Sequence, residues 1–275
     1  MSRGRNSNSR PLIIGHRGAS AHAPENTHVA FEMAFMQGAD GIEFDVRLAR
    51  DGVPVVIHDS TFERTVGIYG AVESHSSEMI SKVYAGEWFN LRYPLRAFDD
   101  FAWERVPTLE QVYEYYESGL LYVEMKCEDA SRRLELARAV VELTRARGVG
   151  GRVVVKCFEH DALVEVKRLA PELRTAALFG RSWPRPLVPA ARIIAGAEAC
   201  GADEISLHRS LVRAAVVEEA RRRGFEVLAW TVNSPVWLKR ARALGLRAVF
   251  TDTPRRMVRA LNNELDFPIT PTAEG

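Results

Sequence analysis

No stretch of this 275-residue sequence approaches the roughly twenty consecutive apolar residues that a membrane-spanning helix needs, so stable membrane insertion is not expected. Cysteine is scarce. Cys127, Cys157 and Cys200 are odd in number, far apart and without a CxxC pair, which argues against a disulfide framework and a thiolate zinc site. An excess of one charge is also lacking: 37 Lys+Arg against 36 Asp+Glu leaves no overall field to gather nucleic acid or anionic lipid. Nucleic acid is therefore not an expected partner, and any anion must be held locally. Residues 1–10 are polar and carry Arg3, Arg5 and Arg10, and the apolar run behind them is only Leu12-Ile13-Ile14, too short for a secretory leader. A reducing, cytoplasmic setting is the expectation. A GxGxxG turn after the first strand is missing as well, which disfavours an open dinucleotide-binding sheet.

What the sequence does have is 47% hydrophobic and 27% charged residues, the composition of a globular protein with a large core. Short β-type runs alternate with segments of helical period. Strands are expected at 12–15, 41–46, 121–126, 152–157, 174–178, 204–207, 226–231 and 248–251, with an extended segment at 53–57. Helices are expected at 27–37, 108–118, 131–147, 160–169, 187–199, 211–223, 235–244 and 254–265. Eight strand-plus-helix units predict a closed (β/α)₈ barrel, which this length accommodates as one domain over residues 11–267. Residues 59–107, aromatic-rich and irregular, read as a small insertion after the second strand that covers one end of the barrel. Residues 1–10 and 268–275 read as loosely ordered ends.

In such a barrel the C-terminal ends of the strands converge on one face. Glu43 and Asp45 lie two apart on one strand and so share a side, as do Glu124 and Lys126 on the next. Three carboxylates with no thiolate partner make a hard oxygen site for one divalent cation, Mg²⁺ or Ca²⁺. His16 follows the first strand and His58 ends the extended segment. Two imidazoles beside a carboxylate cluster are the natural acid and base. Arg17 offers a planar fork for two phosphate oxygens. Spacing leaves Lys126 open between an ion pair with Glu124 and a phosphate contact, and Trp230 between a pocket wall and a core position. His208 would face the same mouth. His22, His28, His75 and His160 lack such company and read as surface residues, and Asp161, Asp203 and Asp252 as helix caps.

These residues carry a resemblance to a known family. Gly15-His16-Arg17-Gly18, Pro24-Glu25-Asn26-Thr27, Gly41-Ile42-Glu43-Phe44-Asp45-Val46, His58-Asp59, Arg64-Thr65, Val106-Pro107-Thr108-Leu109-Glu110, Glu124-Met125-Lys126, Trp230-Thr231-Val232-Asn233 and Thr251-Asp252-Thr253-Pro254 stand in the order and spacing of glycerophosphodiester phosphodiesterases. The resemblance implies a (β/α)₈ barrel with a small insertion, and metal-dependent hydrolysis of glycerophosphodiesters such as glycerophosphocholine or glycerophosphoethanolamine to sn-glycerol 3-phosphate and an alcohol. It implies metal ligands at Glu43, Asp45 and Glu124, acid/base histidines at His16 and His58, and phosphate or substrate contacts at Arg17, Lys126 and Trp230. One departure is Lys156-Cys157-Phe158, where the family often has Ser-Phe; a Lys156 facing the mouth would add positive charge near the leaving group. Phospholipase D-like enzymes acting on lysophospholipid or sphingolipid resemble the same barrel and give the alternative reading. An inactive scaffold would have no need of both histidines and all three carboxylates.

Overall fold

The computed structural model describes residues 10–181 and 188–266. Among them, eight parallel strands close on themselves: β1 (Leu12–His16), β2 (Gly41–Leu48), β4 (Leu120–Met125), β5 (Val153–Cys157), β6 (Arg174–Phe179), β7 (Glu204–His208), β8 (Glu226–Trp230) and β9 (Ala248–Thr251). Each pairs with the next in chain order, and β1 pairs with both β9 and β2, which shuts the barrel. A ninth strand, β3 (Pro54–Val56), lies antiparallel along the far half of β2 and belongs to no barrel wall. The fold is the (β/α)₈ barrel that the alternation predicts. Runs such as Val153-Val154-Val155 are buried on both sides, as strands between a filled interior and an outer ring of helices must be.

The crossovers are α1 (His28–Met36), α4 (Leu109–Tyr115), α5 (Ala130–Ala146), α6 (His160–Leu169), α7 (Ala190–Ala199), α8 (Ala214–Arg222), α9 (Val236–Leu244) and α10 (Pro254–Asp266). Their starts follow capping chemistry. Thr27 accepts the Ala30 N–H at the head of α1, and Thr108 forms a capping box with Gln111 at the head of α4. Gly245 ends α9 in the left-handed conformation, φ 65°, that side chains disfavour. Two expectations shift. The helix expected from 211 begins only at Ala214, after a single 3₁₀ turn at Arg209–Leu211. The helix expected at 187–199 is described from Ala190, residue 187 lying outside the described residues. Of the ends expected to be loose, Arg10 pairs with Asp40 at 2.7 Å, and residues 1–9 and 267–275 lie outside the description.

Between β3 and α4 the chain makes α2 (Ser77–Ile80), α3 (Glu87–Arg92) and three 3₁₀ turns. None is long enough to be stable alone. They are held by a small core of their own, Ala49, Val55, Ile57, Phe62, Val72, Ile80, Ala85 and Val106, and by Phe89 and Phe101 packed on Ala23 and Ala30 of the barrel side. The Val56 N–H donates to the Pro107 carbonyl and the Arg96 side chain to the Ala21 carbonyl, which tie the segment to β3 and to the loop after β1.

The interior is layered. Glu204, Arg174, Arg247 and Glu226 fill the N-terminal end, and Ile14, Tyr122, Val154, Ala176, Leu228, Ala248 and Phe250 form an apolar layer. Register then sets Asp45 beside Glu124 and Glu124 beside Lys156 one step nearer the mouth.

Candidate active site

Glu43, Asp45 and Glu124 meet at the mouth. Each offers an oxygen within 4.8 Å of the others, and all three side chains are buried. Several of their oxygens have fixed partners. Asn26 donates to Asp45 Oδ2 at 3.0 Å, the Arg17 N–H donates to Glu43 Oε2 at 3.0 Å, and Lys156 Nζ lies 3.0 Å from Glu43 Oε1 and from Glu124 Oε2. Lys126 Nζ sits 2.5 Å from Glu124 Oε1 and 3.4 Å from Asp45 Oδ1. That contact is an ion pair rather than a well-formed hydrogen bond, and Glu124 Oε1 is otherwise a buried oxygen without a donor. A set of three carboxylates with no nitrogen or sulfur donor among them fits a hard divalent cation.

The turn after β1 explains how Arg17 arrives there. Arg17 and Asn26 both adopt left-handed backbone, φ 54° and 60°, and Gly18 follows at φ 79°. A Cβ on Gly18 would stand 2.5 Å from the Ala30 carbonyl, so the turn and α1 close only over glycine. The guanidinium then lies between Glu25, 2.8 Å from Nη1, and Asp45, 3.1 Å from Nε.

Both histidines rest against an aspartate. His16 Nδ1 is 2.7 Å from Asp252 Oδ1, and His58 Nδ1 is 2.6 Å from Asp59 Oδ1. A carboxylate only accepts, so Nδ1 carries the proton in each ring and Nε2 is left to exchange protons. Asp252 is itself held by Ser20 and by Asn233. Asp59 is held by Arg64, which grips Glu25 with its other nitrogens, so a chain of ion pairs runs from Asp45 through Arg17, Glu25, Arg64 and Asp59 to His58.

Burial opposes the charges of Arg17, Asp45, Glu124, Lys126 and His16, and their neighbours outweigh it. Arg17 beside Asp45 and Glu25 stays above the ordinary guanidinium value, and Asp45 is driven well below the carboxylate range by Arg17, Lys126 and His58. Glu124 is lowered by Lys156 and Lys126 against its burial, and Lys126 is pushed up to about 12 by Asp45 and Glu124. His16 is raised: burial disfavours the imidazolium, but Glu43 and Asp252 favour it more strongly.

Each residue singled out in the sequence can now be placed. Around the triad of Glu43, Asp45 and Glu124, Arg17 touches Glu43 and Asp45 and Lys126 touches Asp45 and Glu124; His16 lies within electrostatic reach of Glu43, and His58 of Asp45. Trp230 is half-buried, donates to the Ser206 carbonyl, and meets Phe158 and His208 edge-on at 5.6 and 5.2 Å, making an aromatic wall. Lys156 does not face the open mouth. Its ammonium is buried below the carboxylates, because the register carries it inward beside Glu124. Nor are Asp203 and Asp252 caps: Asp203 accepts the Thr175 N–H and pairs with Lys167, and Asp252 serves His16. Asp161 accepts the Ala162 N–H inside the first turn of α6 and also grips Arg133. The four histidines set aside as surface residues are each half-buried, His28 among Phe31, Tyr115 and Tyr116. Asp59, Arg64 and Glu25 form a relay to His58 that spacing does not reveal; the signal for them is their place in the family-like motifs Pro24-Glu25-Asn26-Thr27, His58-Asp59 and Arg64-Thr65.

The sequence pattern of the glycerophosphoryl diester phosphodiesterase family matches residues 16–256. The chain is 32% identical over 253 residues to the glycerophosphodiester phosphodiesterase of Bacillus subtilis, covering 89% of this chain and 84% of that one. It is 32% identical over 251 residues to that of Caldanaerobacter subterraneus, covering 90% and 96%. Among solved structures, a phosphodiesterase of Oleispira antarctica in complex with the product sn-glycerol-3-phosphate superposes with a TM-score of 0.80 at 28% identity, over 92% of this chain and 97% of that one. With the barrel, the turn after β1 and the acidic triad all in place, the chain belongs to the glycerophosphoryl diester phosphodiesterase family and is an enzyme of that class.

Proposed function

We propose that this enzyme hydrolyses small glycerophosphodiesters, such as glycerophosphocholine or glycerophosphoethanolamine, to sn-glycerol 3-phosphate and an alcohol, with one divalent cation held by Glu43, Asp45 and Glu124. The observation that carries this reading is the buried triad lying between two aspartate-backed histidines. Charge balance supports the metal. Three carboxylates face three cations, Arg17, Lys126 and Lys156, so the cluster by itself has no surplus for an anion. A bound Mg²⁺ or Ca²⁺ supplies that surplus and Lewis acidity at a phosphate oxygen.

The chain's own groups do the rest. Arg17, held by Glu25 and Asp45, and Lys126, at the partly exposed side of the triad, bring positive charge to the phosphate and share the charge that grows on its equatorial oxygens. One of His16 and His58 takes the proton of the attacking oxygen, and the other protonates the departing alkoxide. The attacking oxygen is that of water, or that of the neighbouring glycerol hydroxyl, which is already in place and closes a cyclic phosphate that water then opens to the monoester. Trp230 walls the pocket that holds the glycerol or alcohol part.

The test is glycerophosphocholine hydrolysis with product identification, with and without chelator. Glycerol phosphate plus choline, lost on chelation and restored by Mg²⁺ or Ca²⁺, supports the reading; phosphocholine plus glycerol means the other P–O bond is cut and refutes it. His16→Ala and His58→Ala are each expected to lower turnover by about two orders of magnitude or more while the thermal melt stays close to that of the parent.

A second reading, lysophospholipid as substrate, has one observation in its favour. Leu95 of the segment after β3 is fully exposed at the rim of a groove of about 660 Å³ that Val29, Met33, Phe98 and Phe101 line together with Arg96, Glu104 and Arg255. Rates on soluble glycerophosphocholine and on micellar lysophosphatidylcholine separate the two.

A further inference from the structure

Among the described residues, Lys156 is the lysine that meets the triad from below. It points inward from β5, its Nζ is 3.0 Å from Glu43 Oε1 and 3.0 Å from Glu124 Oε2, and its side chain is 2% exposed. Phe250 closes the space beneath, its ring centre 4.5 Å from Nζ. The groups facing the ammonium are therefore Glu43 from β2, Glu124 from β4 and an aromatic face from β9. A group so enclosed has no route to substrate. What it does hold is one oxygen from each of two carboxylates.

We infer that Lys156 is a built-in counter-cation for the triad: it aligns Glu43 and Glu124 before any metal binds and, by its charge, weakens their hold on a divalent ion. The inference rests on the reading of these carboxylates as metal ligands. Replacing the ammonium by a neutral group of similar length has two linked effects. The buried carboxylates lose compensation, so the metal-free fold suffers. The same carboxylates offer an incoming divalent ion more uncompensated charge, so the metal-loaded fold suffers less. A change that harms the metal-free state more than the loaded one must raise metal affinity. A lysine that served packing alone would shift both states equally and leave affinity where it was.

The experiment strips the full-length enzyme and its Lys156→Met and Lys156→Gln variants with chelator and titrates each with MgCl₂ and with CaCl₂ in a calorimeter. Thermal melts are recorded in chelator and in saturating metal. Both variants are expected to bind metal about tenfold more tightly or better, and to melt further below the parent in chelator than in metal. Glutamine, which keeps a polar end in the cavity, carries the test if the methionine variant does not fold. Metal binding by the parent with equal or weaker binding by the variants overturns the inference and leaves the ligand reading standing. Neither heat nor thermal shift from the parent with either metal overturns the ligand reading and the inference with it.

Discussion

At the scale of single residues, the site depends on groups that do not touch the triad. Asp252 orients His16 through a 2.7 Å contact and is braced by Asn233 and Ser20. Asp252→Asn replaces an obligate acceptor by an amide that can donate, so the ring loses the partner that fixes its tautomer. Turnover is expected to fall about tenfold or more with KM changed only a fewfold, measured by steady-state kinetics on glycerophosphocholine. An unchanged turnover would show that His16 needs no such partner. The triad was legible in the sequence for a geometric reason. Strand period two puts Glu43 with Asp45 and Glu124 with Lys126, and strands converge at one barrel end. Asp252 was not legible, because Thr-Asp-Thr-Pro before a helix has the composition of a cap and its partner lies 236 residues away in the chain. Lys156 was visible as a departure, but whether it ends above or below the carboxylates depends on barrel register, which local sequence does not specify.

At the scale of elements, the strands and long helices were readable because each has one strong cause, a fully buried apolar run or an amphipathic period with a cap. Residues 57–108 were not. Their helices are four to six residues long and exist through contacts such as Phe89 on Phe101, so no periodicity announces them. Contacts between elements give a pH signature of their own. Glu165 on α6 is bonded by Arg168 of the same helix and by Arg138 of α5, and its carboxyl drops to about 2, Arg168 contributing most. The folded value lies below the unfolded one. The stability it contributes is therefore fully present above about pH 4.5 and fades as pH falls toward 2. Glu165→Gln should flatten the loss of stability between those limits, read as the difference between parent and variant urea midpoints over a pH series. Both arginines are more than half exposed, which keeps the effect modest. Parallel curves for the two proteins would mean that the pair is screened out.

At the scale of the whole molecule, the barrel carries a charged layer at each end and an apolar layer between them. The mouth layer leaves Lys126, Arg17, His16 and His58 partly exposed; the opposite layer is a plug. In it Glu204, fully buried, meets Arg247 at 3.1 Å, Arg174 and the Tyr122 hydroxyl, while Glu226 takes the outer nitrogens of both arginines. Burial raises the Glu204 carboxyl despite Arg247 and Arg174, a sign that ionising it there is costly and that its cations are needed. Glu204→Ala removes the central acceptor and leaves Arg247, 6% exposed, with Glu226 and the Tyr122 hydroxyl. Breaking such a buried pair costs roughly 3–5 kcal/mol, and the lower end applies here because Arg174 is 38% exposed and water can take over its charge. Because Tyr122, Phe250 and their neighbours separate plug from mouth, turnover per folded molecule should not change. Urea unfolding and kinetics on the same preparation check both halves: a lower midpoint with intact turnover is expected, and a loss of turnover without loss of stability would mean that the two charged layers communicate through the apolar one.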